Sequence, residues 1–233
     1  MLTTYFSPQQ TSSFSRQNLQ QLKEIWQTID AHSCPHHYNF HMHTVCSDGQ
    51  LTPEDVIQQA IKIGLQGLAI TDHHTVQGYH IARDYLQSYE DNAPSLPQLW
   101  TGVEITSLLM ETDVHILGYG FDPNHPSIVP YGQGEEPVGG LAQAEKVIAG
   151  IHQAGGLAVL AHPERYRRPA KALIPKAVEL GIDGVETYYA YKNLIPWQPT
   201  PEQTAQVKAL SDQYGLFNTC GTDTHGVSLL RRV

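Results

Sequence analysis

The stretch HMHTVCSDG, His41 to Gly49, places two imidazoles one residue apart and follows them with a carboxylate at Asp48. In an extended strand residues i and i+2 point to the same side, so His41 and His43 aim at one spot. A turn at Asp48-Gly49 brings a carboxylate back toward it. Imidazole and carboxylate are the usual ligands of zinc, manganese and iron, so the chemistry this stretch offers is metal binding.

The elements that must position such a site alternate along the chain. Strands are predicted at 38–42, 67–71, 99–106, 113–119, 157–162, 183–187 and 216–223. Helices are predicted at 15–31, 51–64, 76–89, 141–156, 169–181 and 201–215, with Pro175 bending or interrupting the fifth. The second carries its own punctuation: Thr52 as N-cap, Pro53 behind it, acids in the first turn and Gly64 as the stop. The strands at 99–106 and 113–119 are joined too closely for a crossover and read as a hairpin. The expectation is one α/β domain over 38–233, its sheet largely parallel and either closed or doubly wound, preceded by an extension over 1–37 with one amphipathic helix. In both architectures chemistry sits at the carboxyl ends of the strands.

Polar residues gather at those ends. They are His41, His43 and Asp48 after the first strand, then Asp72, His73 and His74 after the second, and Glu104 in the third. His115 stands in the fourth, His162 ends the fifth, and Asp223 and His225 close the seventh; Glu186, near the end of the sixth, has no clear role. Taken singly, each has an ordinary reading as a cap, a turn residue or a core histidine, and His115 is the weakest of them. Among them, six of the thirteen histidines (His41, His43, His73, His115, His162 and His225) and three acids (Asp48, Glu104 and Asp223) face one predicted mouth, which is too many donors for one ion. The exposed-loop cluster His32, His36 and His37 lies before the first strand and reads as surface.

The totals narrow the classes. The 233 residues carry a net charge of −9, which argues against duplex DNA as a partner. Cys34, Cys46 and Cys220 form no paired motif, so a reducing cytoplasm is expected. The first ten residues have neither the basic nor the apolar region of a secretory signal, and no apolar run reaches membrane-spanning length, so no membrane partner is expected.

Six motifs, HMHTVCSDG, AITDHHT, GVEIT, DVHILGY, AHPERY and GTDTHG, resemble in that order those of the PHP (polymerase and histidinol phosphatase) family of metal-dependent phosphoesterases, over roughly 38–226. The resemblance implies a distorted (β/α)7 barrel and a trinuclear centre of divalent manganese, zinc or iron. By motif, the first ion would take His41, His43, Glu104 and Asp223; the second would share Glu104 and add His115 and His162; the third would take Asp48, His73 and His225. SDGQLTPEDVIQQAIKIGLQGLAITDH and AHPERY are nearest the branch of nucleoside 3′,5′-bisphosphate phosphatases and 5′-to-3′ exonucleases of short RNA. Arg165 matches that branch's arginine; His74 stands where the branch has an aspartate, and residues 121–140 replace its helical insertion.

The implied reaction is hydrolysis of a phosphate ester on a nucleotide, a short RNA end or another small phosphorylated molecule. Clustered divalent ions lower the pKa of a bridging water and clamp the phosphoryl oxygens. Arg165 could grip the phosphate bidentately, and His74 could protonate the leaving oxygen or support a ligand. Two alternatives stay open: a metallo-amidohydrolase acting on a C–N bond, and a catalytically silent metal-binding module.

Overall fold

The computed structural model describes residues 19–89 and 95–233. Of the predicted first helix, 15–18 lie outside the described residues; α1 is helical over 19–26 and ends in turns. The remaining elements follow in chain order: β1 (Tyr38–Asn39), α2 (Pro53–Ile63), β2 (Gly67–Ala69), α3 (Gln77–Gln87), β3 (Gln98–Trp100), β4 (Gly102–Leu109) and β5 (Thr112–Tyr119). After a loop with two short 3-10 turns come α4 (Ala144–Gln153), β6 (Leu157–Leu160), α5 (Ala170–Glu179), β7 (Gly184–Tyr188), α6 (Pro201–Tyr214) and β8 (Phe217–Cys220).

The punctuation of α2 forms as read: Thr52 Oγ1 accepts from the Asp55 amide, and Gly64 takes the left-handed conformation at φ 83°. The hairpin reading also holds, since β4 and β5 pair antiparallel. Of the two readings of Pro175, a bend or a break, the break does not occur: α5 runs through it. The predicted third strand divides at Thr101 into β3 and β4, which belong to different sheets. Thr101 makes the handover: its carbonyl accepts from Gly120 and its hydroxyl donates to the Phe121 carbonyl.

The sheets do not close into the expected seven-stranded barrel. One has three parallel strands in the order β1-β2-β3; the other has the order β4-β5-β6-β7-β8. In the second, β5 runs antiparallel to both neighbours, while β6, β7 and β8 are parallel. Among the described residues the sheets are joined by isolated bridges, Met42 to Thr224 and His73 to Glu104. After Asn39 the backbone amides bond singly to distant partners, Phe40 to the Cys220 carbonyl and His43 to the Thr224 carbonyl, rather than in a continuous ladder.

Three apolar clusters hold this frame. One packs α4 and α5 on β4–β6, a second packs α2 and α3 against β2 and β3, and the third seats α1. In the third, Trp26 is 1% exposed and meets Phe40 and Tyr119 edge-on, with centroids 5.9 and 5.2 Å apart. The described part of the extension, residues 19–37, is thus packed into the main body through Leu22, Trp26 and Ile29. Truncation of Trp26 to alanine is expected to destabilise the protein by about 3–5 kcal/mol. A urea midpoint close to wild type would show that α1 is merely laid on the surface.

Candidate metal centre

The chain beyond β1 stays extended, so His41 and His43 project to one side as their spacing predicts. It is bonded across to β8's continuation: the Asp223 amide donates to the His41 carbonyl at 2.8 Å, and the His43 amide donates to the Thr224 carbonyl at 2.9 Å. Gly221 permits this approach, because a Cβ there would collide with the Cβ of His41. The Asp48 turn is built beneath the same spot. Asp72, buried, accepts from the Thr44 amide at 2.6 Å, the Thr44 hydroxyl at 2.7 Å and the Ser47 hydroxyl at 2.8 Å. That bonding fixes the loop and leaves the Asp48 side chain 55% exposed, facing the histidines.

All nine candidates converge. His41, His43, Glu104 and Asp223 place one donor atom each within 4.8 Å of one another, and all four are buried. His43, Asp48, His73 and His225 form a second such set on the solvent side, and His73, Glu104 and His115 a third. His43 therefore borders two sets, which the motif comparison had not implied. His115, the weakest candidate in the sequence, sits with Nδ1 2.7 Å from Glu104 Oε1. His162 Nε2 lies 3.3 Å from the same oxygen. Glu104 Oε2 faces the other way, 3.0 Å from His41 Nε2, 3.1 Å from His43 Nε2 and 3.6 Å from His73 Nε2.

These contacts govern the charge states. Burial opposes a proton on His43, but Asp223 and Glu104 outweigh it and raise its pKa to about 9. Burial likewise opposes charge on His41, and Glu104, Glu186 and Asp223 together hold it well above the usual histidine value. Burial would push Glu104 and Asp223 up, yet His41 and its neighbours hold both well below the usual carboxylate range. Burial depresses His73 to about 4, with Glu104 opposing, and burial also lowers His162.

The residues fit divalent ions on their own geometry. Carboxylate oxygens lie 3.1, 3.2 and 3.6 Å from the ring nitrogens of His43, yet neither nitrogen makes a hydrogen bond. Buried polar atoms ordinarily find partners. His43 crowds that point without a hydrogen bond of its own, an arrangement suited to an ion between it and the carboxylates. His225 shows how the protein selects a nitrogen: its Nδ1 is bound to the Asp223 carbonyl at 2.9 Å, which leaves Nε2 for the cluster, 3.3 Å from Asp48.

The family model for the PHP domain matches residues 39–222. The chain belongs to the PHP domain family. Among its PHP relatives is the 5′-3′ exoribonuclease Rnm of Escherichia coli K12, 25% identical over 259 residues, covering 81% of this chain and 85% of that protein. That alignment is longer than this whole chain, so the relative carries segments that this PHP protein lacks. A 3′,5′-nucleoside bisphosphate phosphatase of Chromobacterium violaceum is 32% identical over 117 residues, covering 50% of this chain and 39% of that protein. A solved structure from Bifidobacterium adolescentis, described as a metal-dependent phosphoesterase, superposes with a TM-score of 0.67 at 24% identity, covering 82% of this chain and 88% of that one.

Around the PHP cluster, the other two predicted residues are less free than expected. Arg165 Nη1 bonds to Asp223 Oδ2 and to the Tyr189 hydroxyl, each at 3.0 Å, although its side chain is 39% exposed. His74 Nε2 is 3.1 Å from the Thr106 hydroxyl, and burial pushes its pKa down. Three residues escaped the sequence reading as site components. Tyr189 donates to Asp223 Oδ2 at 2.6 Å, and Arg232 Nε donates to it at 2.8 Å, so this oxygen is held away from the cluster while Oδ1 faces His41 and His43. Glu186 is fully buried beside His41 and His162. Position in the sixth strand was its only signal. A further feature was invisible: His162 and Asp223 adopt positive φ, 25° and 52°. Such backbone is unfavourable for these residues and clusters at functional sites.

Proposed function

We propose that this chain hydrolyses phosphate esters at a centre of two or three divalent ions, manganese, zinc or iron, held by His41, His43, Asp48, His73, Glu104, His115, His162, Asp223 and His225. The observation that carries this reading is Glu104. Its Oε2 faces His41 and His43 at 3.0 and 3.1 Å, while its Oε1 faces His115 and His162 at 2.7 and 3.3 Å. One buried carboxylate with each oxygen turned to a different imidazole set is the arrangement of a bridging ligand. When bound, such ions supply an acidified water and neutralise phosphoryl oxygens.

The chain's own residues do the rest. Glu104 and Asp223 stay ionised and fix the imidazoles between them. Tyr189 and Arg232 clamp the outer oxygen of Asp223. Arg165, tied to that oxygen but partly exposed, is the group an incoming phosphate can draw away, since a guanidinium binds a dianion at least as well as a shared carboxylate. His74, neutral at neutral pH and held by Thr106, supports the shape of the mouth rather than supplying a proton. In this reading the two sheets are halves of a distorted barrel, sewn together at Met42–Thr224 and His73–Glu104.

The named relatives act on RNA ends or nucleoside bisphosphates, which supports a nucleotide-type substrate. The test is phosphate release from a panel containing an aryl phosphate, nucleoside 3′,5′-bisphosphates and short 5′-phosphorylated RNA, with elemental analysis of the same preparation. Turnover that depends on manganese, zinc or iron is expected. Cleavage of amides or lactams without phosphate release would transfer the reading to a C–N hydrolase. Bound metal without any turnover would leave a structural module.

A further inference from the structure

Glu186 stands outside the nine proposed ligands, yet it is 0% exposed and reaches two of them. Its Oε1 lies 2.9 Å from His41 Nδ1, and its Oε2 accepts the backbone N–H of His162 at 2.9 Å. We infer that Glu186 is a positioning residue that fixes the tautomer of His41, keeping a proton on Nδ1 so that Nε2 presents its lone pair to a metal ion. This rests on the metal-centre reading above.

The reasoning is a matter of donors and acceptors. The His162 backbone amide can only donate, so Oε2 must accept. A carboxylate accepts at its second oxygen too, so His41 Nδ1 must be the donor. A neutral imidazole carries one proton. With that proton on Nδ1, the free nitrogen is Nε2, which faces Glu104 Oε2 at 3.0 Å and Asp223 Oδ1 at 3.4 Å. Carboxylates behind ligand histidines orient the ring and strengthen it as a donor. Here the same carboxylate also ties down the left-handed backbone of His162, at φ 25°, so one side chain registers two imidazoles whose rings stack 5.5 Å apart.

Glu186→Gln tests this with almost no change of shape. The fixed amide of His162 takes the single oxygen of the glutamine, leaving its NH2 to face His41 Nδ1. That nitrogen must then accept, and the proton moves to Nε2, where it blocks ligation. Zinc affinity of the metal-stripped protein, measured by calorimetric titration, is expected to fall about 10- to 100-fold at one site. The circular-dichroism spectrum is expected to be unchanged. Long-range proton–nitrogen correlation on the zinc-loaded wild type should place the His41 proton on Nδ1.

Equal zinc affinity in both proteins would sink the role of Glu186 while leaving the metal centre intact. So would a wild-type His41 that carries no proton on Nδ1, a result that decides the matter even if the variant fails to fold. Wild-type protein that binds no zinc, manganese or iron would instead overturn the metal reading itself.

Discussion

Glu104→Gln is expected to lower phosphoester turnover by at least ~1,000-fold, about 4 kcal/mol of barrier, and to reduce the ions bound per chain. The substitution keeps the shape of the side chain and removes what makes it a bridge. Glutamine has one oxygen, so it can serve His41 and His43 or His115 and His162, not both sets. Its NH2 would point a donor at the abandoned set, where an ion must be received. The negative charge that steadies five surrounding imidazoles also disappears. Metal content by elemental analysis and rate on the best substrate of the panel are the two readouts. A variant with the full metal complement and wild-type turnover would show that Glu104 is a structural carboxylate and that the centre is not shared across it.

The second large effect is on stability against pH in metal-free protein. His43 has a folded pKa of about 9 against an ordinary value near 6.5. A raised folded pKa means that the stabilisation is complete below about pH 6.5 and is lost as pH climbs through about 9. His41 is shifted the same way. Metal-free protein is therefore expected to lose on the order of 3 kcal/mol between pH 6.5 and 9 from His43 alone. Acid works through other groups: Glu104 and Asp223 have depressed values, and His73 is depressed to about 4, so their contributions fade as pH falls. Bound ions take the place of those histidine protons, so metal binding releases protons and tightens with rising pH. Thermal midpoints measured from pH 6.5 to 9 should fall for chelator-treated protein and hold for protein with manganese. A chelated sample that is flat or gains stability over this range would mean that the buried histidines are neutral, and that the carboxylates do not charge them.

The nine candidate donors were legible only in conjunction: each has an ordinary reading by itself, and the fall of all nine at predicted strand ends or in the loops beside them is what marks them. The HxH spacing at 41 and 43, the Asp48 turn and the acids and histidines after short apolar runs are all read within a few residues. The caps of α2 and the hairpin of β4 and β5 are equally local, and they form as read. Such signals reach only as far as a strand or a turn. They tell which way a side chain points from its own backbone.

Which groups meet across strands is a different quantity. GVET reads as an ordinary buried strand, and nothing near Glu186 in sequence shows that β7 brings it 2.9 Å from His41, 145 residues away. Nor does AHPERY show that Arg165 lies against Asp223, or that Tyr189 and Arg232 share the same oxygen. The open sheets, the handover at Thr101 and the left-handed backbone of His162 and Asp223 also come from contacts between distant segments. Sequence by itself marked the candidate donors and the order of elements, because residue type and period are local properties of a chain. Tertiary structure alone decided how closely the candidates approach one another and what holds them, because pairing between strands far apart in sequence sets every distance across the mouth.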